Sequence, residues 1–391
     1  MPVIFLAACS SRAAPAASAP TSPAQSPQVS PGVAETAGPV AYPTSASPPA
    51  SQIPTGGPSA LPHCPTPPYA FNQEVIAFSS DDIFVVNADG SGLRQLTGAE
   101  YRQSTQPAWS PNGLALAFAS SRYSSSAGDF DIFTIGNSGL NPKRITSDAG
   151  SEEHPAWSPN GNTIAFEAIT ETRSRIELVG ASGTPRTLVP SPRTWNALPS
   201  WSPKGDMIAF FGTNQFAAGG WDLLLHDLTS HETRLLSTTP DITSSDATPW
   251  SPNGKQLVFA ASKAGNNDIF VIDLETGVRT QLTDDPSEEF QPMWSSMGDR
   301  IAFVSTRGGY PGLYVMNADG TDQLRLTSGP GEAFDPRWSP DDRLIAYFAV
   351  TDQRYEIVVI DDNGCVVSHP TREVSDLVDV PVWAPAMNSS E

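Results

Sequence analysis

Large and small apolar residues alternate in short runs that return about every 45 residues along the chain. Ile164-Ala165-Phe166 is typical, and the same spacing puts Phe118, Phe166, Phe210, Phe259, Phe303 and Tyr347 nine residues after Trp109, Trp157, Trp201, Trp250, Trp294 and Trp338. Between the two large positions of each run stands Ala117, Ala165, Ala209, Ala302 or Ala346, with Val258 the one larger exception. A period of two with large residues on one side and small ones on the other predicts strands buried on both faces. A fixed period of this length predicts a repeat architecture. One run, Val75-Ile76-Ala77-Phe78, has no tryptophan before it, and one tryptophan, Trp383, has no run behind it. Joining the two completes a seventh unit and closes a ring.

Polar punctuation divides each unit into four strands. The first ends at tryptophan and turns through Ser-Pro-Asn-Gly, where proline presets φ and Asn-Gly accepts the strained positions. The apolar run is the second strand, and a third follows, as in Asp268 to Ile272 or Asp131 to Ile135. Hairpins such as Asn87-Ala88-Asp89-Gly90 lead to a fourth, Arg94-Gln95-Leu96-Thr97. The predicted fold is all-β: a seven-bladed β-propeller of four-stranded antiparallel blades, closed by a C-terminal strand that completes the first blade. The tryptophans are core residues in this reading. Three units drift: Thr248-Pro249-Trp250 displaces the proline, Trp294-Ser295-Ser296-Met297-Gly298 loses it, and Trp383-Ala384-Pro385 swaps the serine. Local changes of turn geometry are expected there, with the blades intact.

Composition sets the front of the chain apart. Residues 10–68 hold 15 of the 38 prolines and only two charges, Arg12 and Glu35, so they read as a disordered Pro/Ala/Ser-rich tether, with the propeller over residues 69–388. Residues 1–9 read as a truncated lipoprotein signal: Leu6-Ala7-Ala8-Cys9 matches the lipobox before the lipidated cysteine of bacterial lipoproteins, although no Lys or Arg precedes the short apolar run. Cys9 is then the lipidation site, and the expected location is extracytoplasmic, in a periplasm or at a cell surface. Cys64 and Cys365 flank the closure of the ring and could pair in an exported protein; two free thiols are the alternative. The net charge is −20, with 41 acids against 21 bases beyond the first 64 residues. That balance excludes nucleic acid and anionic membrane surfaces as partners of the ring and leaves basic proteins, cations or neutral glycans. No stretch of 18 apolar residues exists, so membrane contact would come only through the N-terminal lipid. A monomer is expected.

In a four-stranded meander the Ser-Pro-Asn-Gly turns and the third-to-fourth hairpins share one face, while the second-to-third loops and the inter-unit connectors share the other. The second face is the variable one, and loops on a rigid scaffold are where binding concentrates. Its loops carry Arg122, Tyr123, Phe216, Trp221 and Tyr310. Residues just before each Pro-x-Trp should ring the channel mouth: Gln106, Glu153, His154, Asn196, Asp246, Glu289, Gln291, Glu332, Asp335, Asp376 and Asp379. Such an oxygen-rich funnel suits a basic peptide segment or a hard cation such as Ca²⁺, though no Asp-x-Asp-x-Asp-Gly loop is present and a solvated polar rim is the alternative. No G-x-S-x-G motif supports a serine hydrolase.

The units P-A-W-S-P-N-G-N-T-I-A-F and D-I-F-V-I-D-L-E-T-G-V-R-T-Q-L-T resemble the repeat of the TolB-type propellers over about four fifths of the chain. The resemblance implies an exported, non-catalytic scaffold that contacts envelope or extracellular proteins through the channel mouth. It departs from TolB itself, which has an α/β domain before a six-bladed ring. The oligogalacturonate lyase family is similar in fold and uses several histidines and a glutamine on a metal; only His154 with Gln106 or Gln291 could be analogous, since His63, His226, His231 and His369 fall elsewhere. A glycan-binding or metal-dependent lyase-like propeller is therefore the second reading.

Overall fold

The computed structural model describes residues 74–101, 103–123, 129–214, 220–236, 242–243, 250–263, 265–329, 331–351, 354–372, 374 and 380–386. All lie in one compact unit, Pro65–Glu391. They form seven four-stranded antiparallel sheets, each a meander from inner to outer strand. Blade 1 takes its inner strand from the end of the chain: Val382–Trp383 pairs with Val75–Ser80, matching Ile76 with Trp383 and Ala77 with Val382. The inner strands of blades 2 to 7 are Ser104–Trp109, Ser151–Trp157, Trp195–Trp201, Ile242–Thr243, Glu289–Trp294 and Glu332–Trp338. In blade 5, Trp250 bridges Leu257. The proposed signal and tether of residues 1–68, with Cys9 and Cys64, lie outside the described residues.

The alternation seen in the sequence builds the contacts between blades. Seven apolar clusters lie among the described residues, one at each junction of consecutive blades. In every one, the aromatic of one second strand shares the cluster with the residue between the two large positions of the preceding blade's second strand, alanine in six and Val258 in one. The pairs are Phe118 with Ala77, Phe166 with Ala117, Phe210 with Ala165, Phe259 with Ala209, Phe303 with Val258, Tyr347 with Ala302, and Phe78 with Ala346. The last pair joins blade 1 to blade 7. Large-on-small layering lets flat sheets approach without voids, which packed interiors require.

The tryptophans add a directional bond to this packing. Trp109, Trp201, Trp250 and Trp383 each donate their indole N–H to the carbonyl before the preceding blade's tryptophan: Val382, Ala156, Ser200 and Arg337, at 2.8–3.2 Å. The closing strand is thus held on both flanks. Trp383 reaches back to blade 7 and Val382 is held by blade 2.

Each turn after tryptophan is organised by its serine. The hydroxyls of Ser110, Ser158, Ser202, Ser251, Ser295 and Ser339 accept the N–H five residues on, at 2.9–3.1 Å. Each also donates to an Asn or Asp. Where the Asn is replaced, by Lys204 and Met297, a carboxylate four residues after the serine takes over: Asp206 at 2.7 Å and Asp299 at 2.9 Å.

The turn proline of one blade also packs over the turn glycine of the next. Pro111 covers Gly161, Pro159 covers Gly205, Pro203 covers Gly254 and Pro252 covers Gly298. Blade 6 has Ser296 in place of its proline, and blade 7 has Asp342 in place of its glycine, at φ 59°, a left-handed conformation that Asp tolerates. The buried Asp342 carboxylate accepts the Ser296 N–H at 2.5 Å and the Met297 N–H at 2.6 Å. Loss of proline freed one of those donors, and loss of glycine supplied the acceptor for it. Replacing Asp342 alone with Gly should therefore cost about 1.5–3 kcal/mol in urea unfolding. Adding Ser296→Pro should restore most of the loss, giving a double-mutant coupling above about 0.5 kcal/mol; additive effects would contradict the pairing.

Candidate functional site

In blades 2, 3, 4, 6 and 7 the proline of Pro-x-Trp marks a β-bulge. In five inner strands the register with the second strand slips just before tryptophan, between Thr105 and Ala108, Glu153 and Ala156, Ala197 and Ser200, Phe290 and Met293, and Phe334 and Arg337. Proline has no N–H to lose from the ladder, so it fits there. The residue before it carries the turn: Gln106, His154, Leu198, Gln291 and Asp335 all have φ of 51–55°. Five non-glycine residues at one structural offset in the left-handed region are a repeated strain at the inner edge of the ring. The inner strands of blades 6, 7, 1, 2, 3 and 4 adjoin in turn, so these bulges form a belt along that arc of the ring.

Side chains bridge the belt at two joints. Between blades 2 and 3, Gln106 Oε1 accepts the His154 backbone N–H at 2.8 Å, and its amide nitrogen lies 3.1 Å from His154 Nε2. Nδ1 of His154 is 3.2 Å from Glu167 Oε2, on the second strand of blade 3. Glu153 is buried and accepts the Ser151 hydroxyl at 2.7 Å; burial pushes its carboxyl up, and His154 opposes the rise. Between blades 6 and 7, Gln291 repeats the arrangement, accepting the Asp335 N–H at 3.0 Å and donating to Asp335 Oδ1 at 2.7 Å.

Other expected mouth residues serve the joints between strands. Asn196 is buried, accepting from Ser191 and donating through its side chain to the carbonyls of Ser174 and Arg193. Glu289 is fully buried, accepting from Ser305 at 2.8 Å and Arg307 at 3.2 Å, and burial raises its carboxyl. Glu332 is half-buried at the start of its strand. Asp246, Asp376, Asp379 and Phe216 lie outside the described residues. The described residues before tryptophan thus occupy several environments: the third position before tryptophan forms the belt, and the fifth is buried between strands.

On the loops, Tyr123 is 57% exposed and Tyr310 50% exposed. Tyr123 stacks on Phe133, with the Arg144 and Arg122 guanidiniums 4.9 and 5.3 Å from its ring; Arg122 also lies over Tyr101 at 4.4 Å. Trp221, expected on a loop of the variable face, is half-buried against the cluster between blades 4 and 5, where it bridges Ile242. Cys365 is disulfide-bonded. His226 is buried on a third strand against Thr233. Among the described residues, no group of three or more His, Cys, Asp or Glu side chains could hold a metal ion, and no helix is long and apolar enough to cross a membrane.

Sequence reasoning missed Leu198, Glu167 and Glu152. Leu198 was legible from its offset before tryptophan, shared with Gln106 and His154, but an apolar side chain carried no signal. Glu152 is buried, and burial, followed by repulsion from Asp131, raises its carboxyl to about 8. Burial and Asp341 raise Glu74 to about 7. Both folded values lie above the ordinary carboxyl value of 4.5, so the stability these groups contribute is fully present in acid and lost as pH rises through the folded values. The urea midpoint should therefore fall between about pH 5 and 8. Glu152→Gln should flatten the upper part of that fall; an unchanged slope would contradict the assignment.

A ring of seven four-stranded blades closed by its own C-terminal strand defines the β-propeller class. The model of the TolB beta propeller domain matches residues 73–217 and 213–389, and the chain belongs to that family. It is similar in fold to TolB from Acinetobacter baumannii, at 20% identity and a TM-score of 0.54, covering 81% of this chain and 68% of that one. It is also similar to the β-propeller domain of the Trilobed protease from Pyrococcus furiosus, at 13% identity and a TM-score of 0.55, covering 74% of this chain and 90% of that one. That domain is described as having an open velcro topology, whereas the ring here is closed by Val382–Trp383. A puromycin hydrolase is similar at 18% identity and a TM-score of 0.61 over 77% of this chain, which spans 53% of the hydrolase. Among characterised proteins, no sequence relative matches at a significant level.

Proposed function

We propose that this propeller is a non-catalytic, extracytoplasmic scaffold that binds a protein partner on the face where the inner strands begin. The observation that carries the reading is the belt of five strained, left-handed residues at one offset, with polar groups joined across blades on a face of otherwise variable loops. Strain maintained at one level of a repeat marks a place where geometry matters more than stability. The resemblance to TolB propellers supports scaffolding as the role, and the excess of acids favours a partner with a basic segment. The lipobox match at Cys9 supports a lipid anchor at the cell envelope, and an oxidising compartment suits Cys64 as the partner of Cys365.

Exposed Tyr123 and Tyr310 favour a second reading, in which the same face binds a glycan. Photo-crosslinking groups at Gln103 and Glu332, before the belt, should capture an envelope protein in cells. The same groups at Asn162 and Lys255, on the opposite turns, should not. Crosslinks from the turns alone would reject the assigned face, and saccharide adducts without protein adducts would favour the glycan reading.

A further inference from the structure

The joint between blades 2 and 3 differs chemically from its counterpart between blades 6 and 7. Gln106 faces three groups of blade 3: the His154 backbone N–H, the His154 imidazole and, at 3.5 Å from its amide nitrogen, Glu153 Oε2. Its Oε1 accepts the His154 backbone N–H, which turns the amide NH₂ toward the imidazole. Nε2 of His154 must then be an acceptor, so the ring proton belongs on Nδ1, pointing at Glu167. Gln291 makes the same two-point contact with Asp335, where a carboxylate oxygen is the acceptor. The clamp therefore requires an unprotonated acceptor on the next blade. Imidazole meets that requirement only while neutral, and titrates in a milder range than a carboxylate.

We propose that the Gln106–His154 joint is a proton-operated latch between blades 2 and 3. Taking up a proton at Nε2 sets two donors against each other across 3.1 Å. Gln106 cannot turn its amide to accept from Nε2–H without presenting NH₂ to the His154 backbone N–H. One of the two bonds is lost either way, and the left-handed bulge loses the cap on its amide.

The charged groups around the imidazole act in the other direction. Glu153 on the same strand and Glu167 on the neighbouring strand both favour the imidazolium, while blade 4 offers the neutral Leu198 at the equivalent place. Among the described residues, two carboxylates favour the charged ring and one amide the neutral ring, and replacing that amide tips the balance. The proposal does not depend on what the face binds.

The test uses Glu152→Gln, which removes the titration of that buried carboxyl from the segment, with and without Gln106→Glu. Long-range ¹⁵N–¹H spectra near pH 8 should show His154 as the neutral Nδ1–H tautomer. On going from pH 8 to 5, hydrogen exchange in residues 151–157, corrected for its intrinsic pH dependence, should accelerate about five-fold. Residues 332–338, whose clamp ends in a carboxylate, should not change. Gln106→Glu can accept from the backbone N–H and the imidazolium together. It should keep residues 151–157 protected at pH 5 and raise the midpoint of the imidazole by about 1–3 pH units. An Nε2–H tautomer at pH 8 would overturn the latch. So would equal protection of both segments across the pH range in Glu152→Gln alone.

Discussion

The structure depends on one contact made seven times: an aromatic side chain of one second strand set against a small residue of the strand before it around the ring. A four-stranded sheet of this size has two apolar faces and cannot stand alone. Each blade offers large residues to one neighbour and small residues to the other, so every interface is complete only when both neighbours are present. The constraint has no natural end. A linear stack would leave Phe78 without an alanine and Ala346 without an aromatic, and closure supplies both.

Closure is achieved with little chain. Val382–Trp383 is two residues long, yet Trp383 is buried, pairs with Ile76 and donates to Arg337, while Val382 receives Trp109. A short segment can close the ring because the two cut faces are already complementary. The turn face shows the same economy. Ser296 and Asp342 depart from the repeat in two different blades, and each departure makes sense only with the other.

The fold was largely legible because its determinants are periodic. Alternation in Ile164-Ala165-Phe166, the offset of nine residues from tryptophan and the two orphaned elements Val75–Phe78 and Trp383 are all visible without coordinates. The inner belt was legible only in part. Gln106, His154, Gln291 and Asp335 stood among the expected mouth residues because they are polar, but so did Glu289 and Asn196, which are buried between strands. A bulge shifts register by one residue and so decides which neighbour turns inward, and composition does not report a register. Glu167, ten residues after its tryptophan, belongs to the joint only because antiparallel pairing returns the second strand to His154.

Urea unfolding of the protein ending at Val380 tests the central claim most directly, read together with hydrogen exchange in residues 75–80 and 344–351. With the inner slot of blade 1 empty, stability should fall by at least about 3 kcal/mol, the scale of losing a buried tryptophan. Protection should drop in both segments, because Phe78 and Ala346 share that interface. An unchanged midpoint with both segments still protected would contradict a ring held by mutual completion of its blades.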